Sequence, residues 1–81
     1  MDRQALRKQA HDLDVTVWVG QGGIDPVVDE LRDQLDDREL VKVKFLSARD
    51  PGGSTDEQAE ALAERVGATL VETRGHTAVF Y

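Results

Sequence analysis

Residues 15–26 read Val-Thr-Val-Trp-Val-Gly-Gln-Gly-Gly-Ile-Asp-Pro, a β-branched run followed by a glycine cluster and a helix start. The β-branched and aromatic residues at 15–19 predict a strand. Asp25 and Pro26 suit the N-cap and the first position of a helix, because the φ of proline is already close to the helical value. The stretch therefore predicts a strand that passes directly into a helix through a turn at residues 20–23.

That turn, called the glycine turn below, consists of Gly20, Gln21, Gly22 and Gly23. Its glycines let backbone N–H groups approach a phosphate, and the helix N-terminus behind them adds unpaired donors. A tight turn that needs positive φ and binds nothing is the alternative interpretation. The turn lacks the Lys and Ser/Thr of a nucleotide-hydrolysing P-loop and does not match the dinucleotide fingerprint. The spacing of Gly20 and Gly23 does match the G-x-x-G loop with which some RNA-binding modules clamp a backbone.

Periodicity and turn signals extend the prediction outward from this stretch. Helices are predicted at 3–13, at 26–36, and from a capping box at Ser54 to a stop at Gly67. Further strands are predicted at 40–46, 68–73 and 77–81, the last two joined by a turn at 74–76. The order α-β-α-β-α-β-β predicts an α/β (α+β) fold in one domain, residues 1–81. Its sheet is four-stranded and mixed, with helices mainly on one face.

Composition excludes several classes of function. The chain of 81 residues has no cysteine and only two histidines, which excludes disulfides and argues against a metal site. No nucleophile has a base beside it, so we expect no catalytic residues, no cofactor and no small-molecule substrate. The absence of a membrane-length apolar run and of a signal peptide indicates a cytoplasmic protein.

The charge balance is acidic, with sixteen Asp and Glu against ten Lys and Arg and a net charge of -6. Seven of the acids fall between residues 25 and 39, and only three of the basic residues are lysines. Many acids with few lysines suit a protein that stays hydrated in high salt, so a halophilic source is one hypothesis. An ordinary acidic domain is the other.

Strand two places its basic residues on one face. Lys42 and Lys44 alternate with Val41 and Val43, so a sheet covered by helices on the valine side leaves both lysines on the open face. Trp18 has the opposite parity to the valines of strand one and is expected on the same open face. There it could stack a base beside the lysines, or instead fill a gap under the first helix.

Other basic side chains extend this candidate surface. Arg74 and His76 flank Gly75 in the predicted hairpin turn, where they either reach a phosphate or form an ordinary polar turn. Arg7 and Lys8 lie on the predicted first helix.

Four segments together resemble the YhbY-like, or CRM-type, RNA-binding domain family. They are His-Asp-Leu at 11–13, the strand and glycine turn at 17–24, Glu-Leu-Val-Lys-Val-Lys at 39–44, and Gly-His-Thr-Ala-Val-Phe-Tyr at 75–81. The resemblance implies a fold similar to the C-terminal domain of translation initiation factor three, in an archaeal, halophile-like member. It also implies binding of structured RNA, ribosomal or pre-ribosomal, in ribosome assembly and without catalysis. Family members are often basic, whereas this chain is acidic.

The resemblance maps RNA contacts onto the glycine turn and the strand lysines, with nearby basic residues added. The predicted set is Gly20, Gln21, Gly22, Gly23, Lys42, Lys44, Arg7, Lys8, Arg74 and His76. The expected partner is RNA, not a membrane, and the expected state is a monomer. A protein-interaction module docking through the open sheet face is the alternative function, and a small nucleotide-binding domain is a third.

Overall fold

The computed structural model describes residues 8–9, 12–20, 22–46 and 55–81. Its strands are β1 (Val15–Val19), β2 (Val41–Phe45), β3 (Leu70–Arg74) and β4 (Thr77–Phe80); its helices are a 3₁₀ turn (Asp25–Val27), α1 (Val28–Asp37) and α2 (Thr55–Val66). The sheet order is β1-β2-β4-β3, with β1 parallel to β2 and the other pairs antiparallel. The predicted fold class, a mixed four-stranded sheet with helices packed on it, is confirmed.

Two parts of the prediction fall largely or wholly outside the described residues. Of the predicted first helix, Lys8 and Gln9 are helical, and the Asp12 N–H donates to the Gln9 carbonyl at 3.2 Å. Ser54 of the predicted capping box lies outside, and α2 is described from Thr55 onward.

Alternation in β2 builds the main core. Val41, Val43 and Phe45 are buried on the face that α1 and α2 cover. Leu31 of α1 and Leu62 of α2 pack against them and are completely buried. Burying a side chain of this size contributes roughly 1.5–3 kcal/mol, so this layer is the main source of stability.

The second face of the sheet is covered at one end. Leu40, Val71 and Val79 form a smaller buried cluster there, and Leu13 packs against it. β2 continues beyond this cluster toward Leu46, where the cluster does not cover the second face. The sheet thus has one fully covered face and one partly open face, as predicted.

The predicted N-cap at Asp25 is wrong. Ile24 occupies the cap position without a side-chain hydrogen bond, and Asp25 is the first residue of the 3₁₀ turn. The Val27 N–H donates to the Ile24 carbonyl at 3.0 Å, so the chain makes a tighter turn before α1 begins at Val28. The Asp25 carboxylate pairs with the Arg65 guanidinium of α2, and this tertiary contact replaces the local cap.

The predicted end of α2 is confirmed, and the predicted hairpin turn is shorter than expected. Gly67 has φ 77°, and the Ala68 N–H donates to the Ala63 carbonyl at 2.9 Å, as in a Schellman motif. β3 continues through Arg74, so the turn to β4 contains only Gly75 and His76. Arg74 is therefore a strand residue, so its side chain lies on a defined face of the sheet. This face determines whether Arg74 can belong to the candidate site.

Candidate functional site

Four side chains lie in register across the open end of the sheet. Trp18 pairs with Lys44, Lys44 pairs with Thr77, and Thr77 pairs with Arg74. We call these four residues the open-face row. Because neighbouring strands are about 4.8 Å apart, the row extends about 14 Å from one sheet edge to the other. It joins an aromatic ring and two cations in one line.

Trp18 lies at the outer end of this row. β1 is an edge strand, and 53% of the Trp18 surface is exposed. A ring exposed to this extent is available to a ligand; the alternative, that it fills a gap under the first helix, stays untested because most of that helix lies outside the described residues. Its prediction on the same face as Lys44 is confirmed by the strand register.

A second row lies behind the first. Lys42 pairs with Val79, and Val79 pairs with Glu72. A groove of about 190 Å³ lies between the two rows, lined by Lys42, Glu72, Arg74, Thr77 and Val79. Lys42 is half-buried, whereas Lys44 and Arg74 are exposed. The carboxylate of Glu72 offsets part of the positive charge in the groove, so Lys44 is the cation most available to an external anion.

Among the described residues, the glycine turn contains one hydrogen bond and one residue with positive φ. The Gly23 N–H donates to the Gly20 carbonyl at 3.1 Å, and Gly23 has φ 79°. A Cβ at Gly22 would lie 3.3 Å from the Pro26 Cγ atom. Turn geometry therefore explains glycine at 23 and close packing explains it at 22. Neither explains Gly20, whose φ is not in the left-handed region and where an added Cβ would meet nothing within 4 Å.

The glycine turn and the β3–β4 hairpin lie at the same end of the sheet. The Leu46 N–H donates to the Val19 carbonyl at 2.8 Å, which places the end of β2 beside the start of the turn. The Phe45 N–H donates to the His76 carbonyl at 2.7 Å, which places the hairpin turn beside the same strand end. The fold thus brings Gly20, Lys44 and His76 to one end of the sheet.

Three predicted site residues are not part of these contacts, and two of them lie outside the described residues. Lys8 is exposed on a helical segment. Arg7 and Gln21 lie outside the described residues. Their predicted roles remain predictions.

The comparison with family models gives a full-length match. The CRS1 / YhbY (CRM) domain model matches residues 1–81. The chain belongs to this family. This CRM domain is also 37% identical over 79 residues to the protein named "Probable RNA-binding protein MJ0652" of Methanocaldococcus jannaschii. The alignment includes 98% of this chain and 59% of that relative, so the chain spans well under two thirds of the relative's length.

A solved structure has the same fold. This CRM domain superposes with a TM-score of 0.80 and 34% identity on the solution structure of the hypothetical protein SAV1595 from Staphylococcus aureus, which has been proposed to bind RNA. The superposition covers 98% of this chain and 81% of that one.

Charge in this CRM domain is divided between the two layers. Ten of its sixteen acids lie on the 3₁₀ turn, α1 and α2, which carry one, five and four respectively. The four strands contain one acid, Glu72, and three cations, Lys42, Lys44 and Arg74. On the helical layer, Arg32 pairs with Asp29 at 3.5 Å. The net negative charge is thus concentrated on the side away from the open-face row.

Three residues of this edge were not predicted from the sequence. Thr77 lies between Lys44 and Arg74 in the open-face row, Glu72 lines the groove, and Leu46 is 59% exposed beside the glycine turn. A predicted hairpin turn of only two residues would have paired β3 with β4 in the observed register, and this would have placed Thr77 in the open-face row.

Two other features are absent from the described residues. No group of three or more His, Cys, Asp or Glu side chains is close enough to hold a metal ion in the part of the chain that the structure describes. Within those same residues, no helix combines the length and apolarity needed to cross a bilayer.

Proposed function

We propose that this CRM domain binds structured RNA, with ribosomal RNA as its target and ribosome assembly as its process. The observation that carries the proposal is the open-face row, a line of aromatic and cationic side chains beside the glycine turn on the face opposite the acidic helices. Cations at this spacing suit a chain of phosphates, and an acid-rich opposite face would be repelled by it. The domain thus has one face that can approach RNA.

The contacts divide by chemistry. Lys44 and Arg74 neutralise phosphates, while Lys42 adds charge from within the groove. Phosphate contacts fix orientation and carry little sequence information. The glycine turn and the residue that follows it supply backbone N–H donors, because the N–H groups of Gly22 and Ile24 donate to no backbone oxygen among the described residues. The predicted contributions of Arg7, Lys8, Gln21 and His76 extend the same surface.

The name of the M. jannaschii relative supports RNA as the partner. Because this chain corresponds to only part of that protein, the relative's complete activity is not carried over. We further propose that the domain acts as a monomeric binding module, not an enzyme, and that it functions in the cytoplasm.

A salty cytoplasm would fit the acidic helical layer. Counterion release contributes less to binding as salt rises, so backbone amides, shape and stacking must supply more of the affinity. A halophilic source is therefore part of the proposal. Loss of structure on transfer to low salt would support it, and indifference to salt would count against it.

The test uses a labelled fragment of large-subunit ribosomal RNA and fluorescence anisotropy. Gly20→Asp adds a negative charge to the turn without strain, because Gly20 has an ordinary φ and open space around it. We expect at least tenfold weaker binding, equivalent to about 1.4 kcal/mol. Thr69→Asp is the control, since it adds the same charge at an exposed position paired with Tyr81 at the other end of the sheet. Equal affinities of the two variants would refute a phosphate role for the turn.

Docking of a protein on the open face is a second candidate, favoured by the exposure of Trp18 and Leu46. Exposed apolar side chains of this size commonly mark contact surfaces. This function predicts that partner capture depends on both side chains and survives ribonuclease treatment. Capture that ribonuclease abolishes would favour RNA.

A further inference from the structure

Trp18 has the position of a stacking platform. It is the single tryptophan of the chain, and it is half-exposed on an edge strand with one cross-strand neighbour on its face, Lys44. An indole ring can stack on any nucleic-acid base, because every base has a π-face. The adjacent ammonium group of Lys44 is placed to meet the phosphate of the same nucleotide.

Gly20 leaves room beside this ring. Gly20 follows the last residue of β1 and lies two positions after Trp18, so strand alternation continued by one residue puts it on the face of Trp18. Neither its φ nor its packing requires glycine, and the space where a Cβ would lie contains no atom within 4 Å. The absence of a side chain gives a ligand access from the indole ring to the first residue of the glycine turn.

We infer that an unpaired RNA nucleotide stacks its base on Trp18, with its phosphate between Lys44 and Gly20. This inference rests on the proposed function and narrows it, because it names the part of a structured RNA that the face binds. Bases inside a continuous duplex are already stacked on each other, whereas loops and bulges present bases that can be splayed out. The open face therefore prefers unpaired nucleotides over duplex.

Intrinsic fluorescence tests the contact directly in the full chain, because all indole emission comes from Trp18. We expect an oligouridine strand to quench this emission saturably. A blunt-ended RNA duplex of two strands, with an equal number of phosphates and no loop, should quench it much less. Trp18→Ala should weaken oligouridine binding, measured by anisotropy, by about 5- to 100-fold, whereas Trp18→Phe should retain most of the affinity.

Tyr81→Ala is the matched control, since it removes a partly exposed ring (37%) at the opposite end of the sheet. We expect it to bind oligouridine as the wild type does. Unchanged oligouridine affinity in Trp18→Ala would overturn the inference. Equal losses of affinity for oligouridine and for the duplex would also overturn it, because they would indicate a structural role for the ring.

The two proposals fail in different ways. If Trp18→Ala is silent while Gly20→Asp still weakens binding to the ribosomal RNA fragment, stacking is refuted and RNA binding stands. If the wild type binds none of these RNAs, both proposals fall.

Discussion

Replacing Lys44 with Met should lower the salt dependence of RNA binding by about one phosphate contact. Lys44 is exposed at the centre of the open-face row and forms no ion pair with any described residue. Methionine keeps an unbranched apolar side chain in the strand and removes the charge. The variant therefore isolates the electrostatic contribution of one side chain.

The magnitude follows from the three cations of the sheet. If Lys42, Lys44 and Arg74 each neutralise one phosphate, log K should fall with log salt with a slope of about -2 to -3. The wild type then loses about 20- to 40-fold in affinity between 50 and 200 mM salt. With two contacts remaining, Lys44→Met should lose only about 7- to 12-fold over the same range.

The assay is fluorescence anisotropy of a labelled ribosomal RNA fragment at several KCl concentrations. Arg38→Met is the control, because Arg38 is an exposed cation that follows α1 and lies outside the open-face row. Its slope should equal that of the wild type. A Lys44→Met slope equal to the wild-type slope would refute the assignment of Lys44 to a phosphate. An equal reduction of the slope in Arg38→Met would also refute this assignment, because the effect would then not be specific to Lys44.

Three further predictions concern stability. Leu31→Ala should cost about 2–5 kcal/mol in urea unfolding, because Leu31 is fully buried between α1 and the sheet; a cost below about 1 kcal/mol would contradict this packing. Gly67→Ala should cost about 1–2 kcal/mol, since φ 77° disfavours a Cβ, and should leave RNA affinity unchanged. Molar KCl should raise the Tm of the wild type by screening the acids of α1 and α2, and a Tm independent of salt would show that their repulsion is unimportant.

Strand alternation made the open face predictable from the sequence. Buried Val41 and Val43 determine which side of β2 meets the helices, so Lys42 and Lys44 must occupy the other side. The position of Trp18 on the open face was predicted from the same alternation of side chains in β1. These predictions held because β2 and residues 17–19 of β1 are regular, and a regular strand with one buried face exposes the alternate side chains.

The positions that the sequence did not predict depend on irregularity and on long-range contacts. β3 shifts register between Leu70 and Glu72, which brings Glu72 opposite Val79 on the open face. Simple alternation from Leu70 would have placed Glu72 under the helices. No residue type in this part of the sequence indicates such a bulge. Asp25 does not act as the expected N-cap, and its carboxylate pairs instead with Arg65, which is distant along the chain. Local propensity cannot anticipate a partner that tertiary packing supplies.

The division of charge between the layers explains how an acidic chain can approach RNA at all. An α-helix with its side chains is about 10–12 Å across, so acids on the outer side of α1 and α2 lie at least that far from Lys44. At 0.15 M salt the Debye length is about 8 Å, and those acids are largely screened at the open face; at 0.01 M it is about 30 Å, and their repulsion reaches RNA bound there. Salt therefore acts on binding in two opposite ways, weakening the contacts of the open-face row and removing the repulsion of the helical layer. Contacts that carry no charge, such as those of the glycine-turn amides and the Trp18 ring, depend on neither effect of salt. Their share of the affinity therefore becomes larger as salt rises.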